Sequence, residues 1–386
     1  MRIVFAGIIG RYPWGGVTWC SLMYLLGFQQ MGHEVYYLED TSECNYDPEQ
    51  NSISEDPSYA LRYTHEILSA FGMGERWCHV DHTGKHHGIP REKFQRICAS
   101  ADLFIVLSGG CWVWREHYLA IPRRAFIDSD PAFTQIALDR ARTGAATNPS
   151  QKWYVDFFRN YTHHFTFGSN IGTAHCDLPV GDINWHHTWQ PVSTSIWNPH
   201  PSPLPERPVY TTLMTWQIES FEDIGGNKDM EFLKILNLPK KCDPGKIQFE
   251  IAVNGPRQFL RSHGWRCLDA MAVSGDPWRY HHYITSSRGE FSVAKHTYVA
   301  THSGWFSDRS ICYLASGKPV VVQETGFSRH LPIGEGLLAW RTEEEAHEGL
   351  MEISRDPQRH QKAAREIAME YFRDVTVLSR LLNEIQ

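Results

Sequence analysis

Residues 298–327 of this 386-residue chain read YVATHSGWFSDRSICYLASGKPVVVQETGF, and this stretch decides the predicted fold. A loop of small and aromatic residues leads to Ser307, which is placed to cap a helix over Asp308–Ser316. Gly317 suits the left-handed residue that ends a helix, and Val320–Val322 is typical of a strand buried on both faces. Loop, helix, turn and buried strand together predict half of a doubly wound α/β unit, whose helix N-terminus can hold an anion.

The composition narrows the class of protein. The net charge of −7 and the isoelectric point near 6.3 give no electrostatic support for binding nucleic acid. The nine cysteines are scattered without a C-x-x-C pair, so neither a disulfide framework nor a zinc knuckle is expected. No apolar run has membrane-spanning length, and the first strand begins at Arg2 without a signal-like segment. We therefore expect a cytoplasmic protein without a transmembrane segment.

The first part of the chain shows a β-α-β pattern. An apolar strand at Arg2–Ala6 is followed by a glycine-containing loop, a helix over Val17–Met31 and a second strand at Val35–Leu38. The glycines do not spell G-x-G-x-x-G, which weakens the case for a dinucleotide site. In that interpretation Glu39 or Asp40 would hold a ribose, whereas the commoner role of both is a solvated strand end.

Proline content and polarity divide the rest of the chain. Asn45–Asp56 has the composition of a surface loop, and Ser193–Pro208, with five prolines, that of a linker before a second α/β domain. Within that domain we expect a strand at Tyr283–Ser286 and a helix at Ser292–Tyr298. The chain is predicted to end with an amphipathic helix over Val375–Ile385.

The chain resembles the GT-B glycosyltransferases from its first glycine loop to its last helix. The most specific match is the motif A-x-G-x-P-V-V, formed here by Ala315, Gly317, Pro319, Val320 and Val321. The resemblance implies an α/β protein of GT-B architecture, with two Rossmann-like doubly wound domains that face a cleft. It implies an acceptor-side domain over residues 1–195, a nucleotide-sugar-binding domain over 205–370, and a helix over 371–386 that returns to the first domain.

The resemblance also implies which residues bind the donor, a nucleoside-diphosphate sugar that is a substrate and not a cofactor. They are two glycines of the first domain, a helix-opening lysine of the second, and parts of the quoted stretch: Gly15, Gly16, Lys228, Ser303, Gly304, Trp305, Phe306, Ser307, Asp308, Arg309, Ser310, Glu324 and Thr325. Arg309 and Lys228 are expected to neutralise the diphosphate, and Arg309 to contribute little to fold stability. Because the helix dipole and these cations stabilise the leaving diphosphate, neither a metal nor a cofactor is expected.

Asp128 and Asp130 are the predicted catalytic residues. They follow a strand at Ala125–Ile127 and are expected to face the cleft on the acceptor side, where one of them acts as general base. Carboxylates two residues apart can also share a divalent cation, as in the D-x-D motif of the GT-A glycosyltransferases. Aspartate before proline after a strand is, in addition, ordinary turn chemistry. The acceptor is expected to be a small molecule, which the sequence does not identify.

Other functions remain open. A nucleotide-sugar epimerase would use the same donor loop without an acceptor, and a non-catalytic nucleotide-sugar-binding protein would have no use for cleft carboxylates. An NAD-dependent oxidoreductase is a third alternative, weakened by the missing fingerprint. Retaining GT-B enzymes commonly carry two glutamates before A-x-G-x-P that this chain lacks, so the stereochemistry is open too.

Overall fold

The computed structural model describes residues 1–145, 152–197, 208–217 and 226–386. The chain divides into two compact units. Unit 1 comprises Met1–Gly172, Leu178–Pro191 and Val377–Gln386, and unit 2 comprises Thr173–Asp177 and Val192–Thr376. The last residues of the chain are therefore grouped with the first half of the sequence.

Unit 1 is built on a mostly parallel sheet. Its described strands are β1 (Arg2–Ala6), β2 (Glu34–Glu39), β3 (Asn45–Asp47), β4 (Ser52–Ser54), β5 (Trp77–Val80), β6 (His86–Gly88), β7 (Leu103–Leu107), β8 (Arg123–Asp128), β9 (His163–Thr166) and β10 (Trp185–His187). The sheet order is β10-β9-β8-β7-β1-β2-β5-β6, and only the β5–β6 pair is antiparallel among the described strands of this sheet. Every residue of β7 is buried, as expected for a central parallel strand covered on both faces.

Helices connect these strands. Those described in unit 1 are α1 (Gly15–Gln30), α2 (Ser58–Ala70), α3 (Arg91–Ala99), α4 (Glu116–Leu119), α5 (Phe133–Thr143) and α6 (Lys152–Arg159), with a 3-10 turn at Ser108–Gly110. The predicted β-α-β pattern at the start of the chain is present, with β1 paired in parallel to β2. Its α1 helix begins at Gly15, two residues before the predicted start.

Unit 2 contains a parallel sheet. Its described strands are β11 (Val209–Thr215), β12 (Gln248–Asn254), β13 (Arg266–Asp269), β14 (Gly289–Ser292), β15 (Val320–Gln323) and β16 (Leu337–Trp340), in the order β13-β12-β11-β14-β15-β16. Neighbouring strands are parallel throughout this described sheet, so their carboxyl ends lie along one edge. This edge is where ligands bind in open α/β sheets.

The described helices of this half of the chain are α7 (Thr194–Trp197), α8 (Lys228–Phe232), α9 (Leu238–Lys241), α10 (Arg257–Ser262), α11 (Ala270–Ser274), α12 (Pro277–Thr285), α13 (His296–Ala300), α14 (Asp308–Ala315), α15 (Glu343–Arg355), α16 (Pro357–Ile367) and α17 (Asp374–Ile385). Two 3-10 turns, Leu233–Ile235 and Phe327–Arg329, and a π-helical turn at Ala368–Phe372 complete the set. Within the described ranges, no helix combines the length and apolar character that crossing a bilayer requires.

Aromatic side chains form the centre of the unit 2 core. The Trp265 ring lies 4.7 Å from Phe232 and 4.8 Å from Phe249, centroid to centroid, and Phe291 stacks on Trp340 at 5.8 Å. All five side chains are buried. Fully burying a side chain of this kind stabilises the fold by about 1.5–3 kcal/mol, so this cluster fixes the strands that carry the sheet edge.

Two predicted elements in unit 2 are wrong. Tyr283–Ser286 was expected as a strand but is the end of α12, because the carboxylate of Asp276 caps that helix by accepting from the backbone N–H of Arg279 at 2.8 Å. The expected helix over Ser292–Tyr298 is instead the last residue of β14, a connection, and the beginning of α13.

Two predicted irregular segments also contain regular structure. Asn45–Asp56 includes the antiparallel β3–β4 hairpin, in which Asn45 and Asp47 are buried. The predicted linker Ser193–Pro208 begins with α7, whose Trp197 is 1% exposed; residues 198–207 lie outside the described part. Tertiary packing of a buried side chain therefore overrides a polar or proline-rich local sequence.

Candidate functional site

The loop before α14 is fixed to the end of β15. His302 and Gly304 have positive φ angles of 49° and 77°, the second of which glycine adopts without strain. The backbone N–H of Gly304 donates to the carbonyl of Thr325 at 2.8 Å, and the Thr325 hydroxyl donates to the carbonyl of Trp305 at 2.5 Å. Thr325 is 1% exposed, so this predicted donor-binding residue positions the loop from within the protein.

The α14 helix begins at Asp308 as predicted and ends at Ala315, one residue before the predicted end. Ser307 is the N-cap residue in extended conformation, but its side chain makes no capping hydrogen bond to the helix backbone. The first-turn N–H groups are therefore not capped by this hydroxyl, and with the helix dipole they favour an anion. Asp308 lies in the same turn, and Gly317, with φ of 67°, follows the helix as predicted.

Two serine hydroxyls near this helix start lack hydrogen-bond partners among the described residues. Ser303 is 0% and Ser310 is 1% exposed, and the Oγ atom of each is unsatisfied. Ser310 also lines a cavity of about 10 Å³, shared with Ser292 and Gln323 at the strand ends, which holds about one water molecule. The cavity is too small for a phosphate, so a diphosphate would have to lie over the helix start and not inside this cavity.

Three basic side chains, Lys228, Lys295 and Arg309, lie near one another at the start of α14. Lys228, at the beginning of α8, is half-buried, and no hydrogen bond or ion pair joins its ammonium group to the other described residues. Burial, followed by the charges of Arg309 and Lys295, lowers the pKa of Lys228 to about 7, while Glu290 and Asp308 act in the opposite direction. Among the described residues, no carboxylate is paired with the Lys228 ammonium group.

Arg309 lies deeper than predicted. Its guanidinium is 8% exposed, donates from Nε to the Glu290 carboxylate at 2.7 Å, and donates from its terminal nitrogen to the carbonyl of Leu213 at 2.8 Å. Glu290 is 0% exposed, so the pair is a buried one. The structure favours a larger contribution of Arg309 to stability than the sequence led us to expect, because removing it would leave a buried carboxylate without its counter-charge.

The remaining predicted residues of this stretch differ in accessibility. Trp305 is half-buried, with its ring 4.5 Å from that of Tyr298. Phe306 is 2% exposed and stacks on Phe372 at 5.5 Å, which is a packing role. Glu324 accepts from the backbone N–H of Gly326 at 2.5 Å and so supports the turn after β15.

Glu231 is a buried carboxylate that the sequence analysis missed. It is 0% exposed, and it contacts Lys234 at 2.7 Å and Nδ1 of His296 at 2.6 Å, with a further hydrogen bond from Gln323. Burial raises the pKa of Glu231, but the hydrogen bonds from Lys234, His296 and Gln323 outweigh burial and lower it overall. This network fastens α8, which carries Lys228, to α13 and to the end of β15.

The comparisons with known proteins agree on the fold. No family model and no curated protein matches the chain. An α-glucosyltransferase in complex with UDP and a 13-mer DNA with a central A:G mismatch superposes with a TM-score of 0.60 at 13% identity, covering 100% of this chain and 99% of that one. For Anabaena Alr3699/HepE in complex with UDP and glucose, the TM-score is 0.56 at 11% identity, with 100% and 99% covered. For AviGT4, a glycosyltransferase involved in avilamycin A biosynthesis, it is 0.51 at 13% identity, with 100% and 97% covered.

The chain has the GT-B fold. The sheet of unit 1 is mostly parallel and the described sheet of unit 2 is parallel, which agrees with the two Rossmann-like domains that the sequence resemblance implied. The loop before α14 is hydrogen-bonded to Thr325 after β15, so α14 begins at the carboxyl edge of the second sheet.

In unit 1 of this GT-B fold, Glu39 supports the glycine loop. It is 0% exposed and accepts from the backbone N–H groups of Gly10 at 2.9 Å and Arg11 at 2.5 Å. Burial raises the pKa of Glu39 to about 7. Neither the ribose-binding nor the solvated role expected for Glu39 is therefore present; Asp40 is likewise buried, bound by Arg115 at 2.6 Å.

Gly15 and Gly16 form the first turn of α1, directly after that loop. The N-cap position is Trp14, which provides no side-chain cap, so the first N–H groups of α1 have no capping side chain. The pair thus lies at a helix N-terminus, a position that suits an anion.

The two predicted catalytic carboxylates have different environments. Asp128 is 1% exposed and accepts from the hydroxyls of Thr134 at 2.8 Å and Thr166 at 3.0 Å and from the Gln135 amide at 2.9 Å. Burial raises the pKa of Asp128 to about 6, and these hydrogen bonds limit the increase. Asp130 is exposed. Asp128 therefore organises the turn, whereas the carboxylate of Asp130 is accessible to a substrate.

Metal ligands do not cluster in the described residues. Within the ranges the structure covers, no group of three or more His, Cys, Asp or Glu side chains is arranged to hold a metal ion. No disulfide joins any of the nine cysteines, all of which lie in those ranges.

Proposed function

We propose that this protein is a glycosyltransferase that moves a hexose or related sugar from a nucleoside-diphosphate sugar to a small-molecule acceptor. The observation that carries the proposal is Lys228, a half-buried cation without a partner among the described residues, close to Lys295 and Arg309. A diphosphate beside α14 would supply the missing negative charge, and the helix N-terminus would bind its oxygens.

The other proposed roles follow from accessibility. Ser303 and Ser310 carry hydroxyls without hydrogen-bond partners among the described residues, and these are the proposed further phosphate contacts. Asp130 is the proposed general base, and Asp128 positions its turn. Gly15 and Gly16 offer backbone N–H groups. Because cations and helix N-termini can stabilise a leaving diphosphate, the proposed transfer is independent of metal.

Uracil is the proposed base of the donor. Two of the similar structures were solved with UDP, and one of these also with DNA. A net charge of −7 lacks the excess of cations that binding a DNA phosphate backbone requires, so a small-molecule acceptor is the better proposal here.

Calorimetric titration with UDP in the presence of EDTA tests the proposal. The wild-type protein should bind UDP, and Lys228→Met should weaken the affinity by about tenfold to a hundredfold, as expected when one charged hydrogen bond is lost. Lys246→Met is the matched control, since Lys246 is an exposed lysine of the same unit, and its affinity should equal that of the wild type.

Three results would contradict parts of the proposal. Absence of UDP binding would overturn the nucleotide site, and binding that requires added Mn²⁺ would overturn metal independence. Release of free UDP from a UDP-sugar only when an acceptor is present supports transfer; conversion of the UDP-sugar to an isomer without acceptor would show an epimerase.

A further inference from the structure

Unit 1 contains a cavity that the proposed transfer does not use. Its volume is about 380 Å³, within the range of ~300–1,000 Å³ typical of small-molecule sites. It lies between α5, α6, the strands β9 and β10, and the segment Pro179–Asn184. Strand β10 is three residues long and lies at the edge of the sheet.

Aromatic and aliphatic side chains form the walls. Phe158, Tyr161 and Trp185 line the cavity together with Leu138 and Val155. Tyr161 is 5% exposed; its hydroxyl, like the indole N–H of Trp185, has no hydrogen-bond partner among the described residues. A ligand oxygen that reaches either donor would form a hydrogen bond that the protein leaves unmade.

The charges around the cavity are compensated. Arg142 is paired with Asp139 at 2.9 Å, and Arg159 with Asp156 at 3.0 Å. His164 faces the ring of Trp185 at 5.6 Å, and burial lowers its pKa to about 4, so the imidazole is neutral at pH 7. The lining combines apolar rings with polar side chains, and the formal charges of its Arg and Asp residues cancel. Such walls suit an uncharged ligand better than an anion or a cation.

The cavity is separate from the residues proposed for catalysis. It extends to the amino ends of β9 and β10, where His163 and Trp185 lie, whereas Asp130 follows the carboxyl end of β8. Gln135, which donates to Asp128, forms the boundary between the two regions. We propose that this cavity binds a small uncharged molecule with an aromatic or alicyclic ring and one hydrogen-bond acceptor, at a site distinct from the nucleotide-sugar site.

The test measures the binding of two uncharged probes, 2-naphthol and cyclohexanone, to the whole chain by calorimetry and by saturation-transfer NMR. At least one probe should bind the wild type, and Leu138→Trp, which fills the cavity with an indole, should weaken binding by about tenfold or more. Thr143→Trp is the matched control: it adds the same ring to the exposed end of the same helix, outside the cavity lining, and should bind like the wild type.

A second filling variant protects the test against misfolding. Val155→Phe places a larger side chain in the cavity from α6. It should reduce probe binding as Leu138→Trp does, and its circular dichroism spectrum should equal that of the wild type. UDP titration of each variant should be unchanged, so failure here is distinguishable from failure of the nucleotide site. The proposal would be overturned if neither probe binds the wild type, or if both filled variants bind the probes as tightly as the wild type does.

Discussion

Lys228 and Arg309 carry the same charge but have different environments. Arg309 is held by Glu290 and the carbonyl of Leu213, so its charge is used inside the protein. Lys228 has no such partner in the part of the chain that the structure describes, and its pKa is lowered to about 7 by burial and by the neighbouring cations Arg309 and Lys295. At the residue scale, the cation that remains available to a ligand is therefore the lysine.

The first residue-scale prediction concerns pH. Because UDP binding needs the charged form of Lys228, affinity should fall between about pH 7 and pH 9, by up to about tenfold per pH unit above the pKa. Lys295 and Arg309 lower this pKa, and Glu290 and Asp308 raise it, so all four belong to the titrating group. Titrations at a series of pH values should show the slope in the wild type and not in Lys228→Met.

The same lowered pKa affects stability with a defined sign. The unfolded chain holds the Lys228 proton up to its ordinary pKa, so between about pH 7 and pH 10 the unfolded state binds more protons than the folded state. The contribution of Lys228 to the free energy of unfolding therefore rises with pH across this window.

For the binding prediction, a UDP affinity that is constant from pH 7 to pH 9 would contradict the assigned role of the lysine.

The second residue-scale prediction concerns Arg309→Met. Removing the guanidinium leaves the Glu290 carboxylate, which is 0% exposed, without its ion pair, and the free energy of unfolding should fall by about 3–5 kcal/mol. Urea denaturation measures the change. Adding Glu290→Gln to this variant should recover part of the loss, because the buried charge is gone. A loss below about 1 kcal/mol would show that the pair is not buried in solution.

At the scale of elements, the site depends on how α8, α13 and α14 are attached to the sheet. Glu231 joins α8 to His296 of α13 and to Gln323 of β15, and Thr325 joins the loop before α14 to the same strand end. The α8 helix is only 5 residues long, too short to be stable in isolation. Its position, and with it that of Lys228, is set by this buried network.

Glu231→Gln tests that attachment. The change keeps the shape but removes the charge that binds Lys234 and His296, so the free energy of unfolding should fall by about 1.5–3 kcal/mol and UDP affinity should fall with it. The matched control is Glu250→Gln, which removes a partly exposed ion pair with Arg266 on the same sheet. That control should cost at most about 1 kcal/mol and leave UDP affinity unchanged. Equal effects of the two substitutions would rule out a specific role for the network.

At the scale of the whole molecule, the proposed work is divided between two units. The proposed phosphate-binding residues around α14 belong to unit 2, and Asp130 with the glycine pair belongs to unit 1. Asp130→Asn should therefore reduce turnover by about a hundredfold while UDP affinity stays at the wild-type value. Asp128→Asn should instead lower the free energy of unfolding. The two carboxylate oxygens of Asp128 together accept three side-chain hydrogen bonds, and the amide nitrogen that replaces one oxygen cannot accept.

Turnover and UDP affinity measured on the same two variants decide this point. If UDP affinity collapses with turnover in Asp130→Asn, the carboxylate acts on the phosphate side and the proposed division is wrong. Retained turnover in Asp130→Asn would remove it as the general base.

The sequence by itself determined the α/β class and the course of Tyr298–Phe327. Capping residues, the Gly317 stop and the apolar run Val320–Val322 are local signals, and α14 and β15 form where those signals predict. Alternating strands and helices, together with the motif resemblance, were enough to predict the GT-B fold that the comparisons show. The strand-like composition of Tyr283–Ser286 was misleading, because the helix that is capped at Asp276, seven residues before Tyr283, continues through this segment.

Only the tertiary structure decided which polar residues are accessible. Arg309 meets a carbonyl 96 residues away, Glu231 an amide 92 residues away, and Glu39 a backbone N–H 29 residues away. A sequence shows which residues are charged, but the partner that neutralises each charge comes from a distant strand or loop. Because a buried charge is stable only when it is paired, these distant partners, and not the residue type, allow Arg309 to be buried. Asp128 and Asp130 are likewise the same residue type but differ in burial, which only the tertiary structure shows.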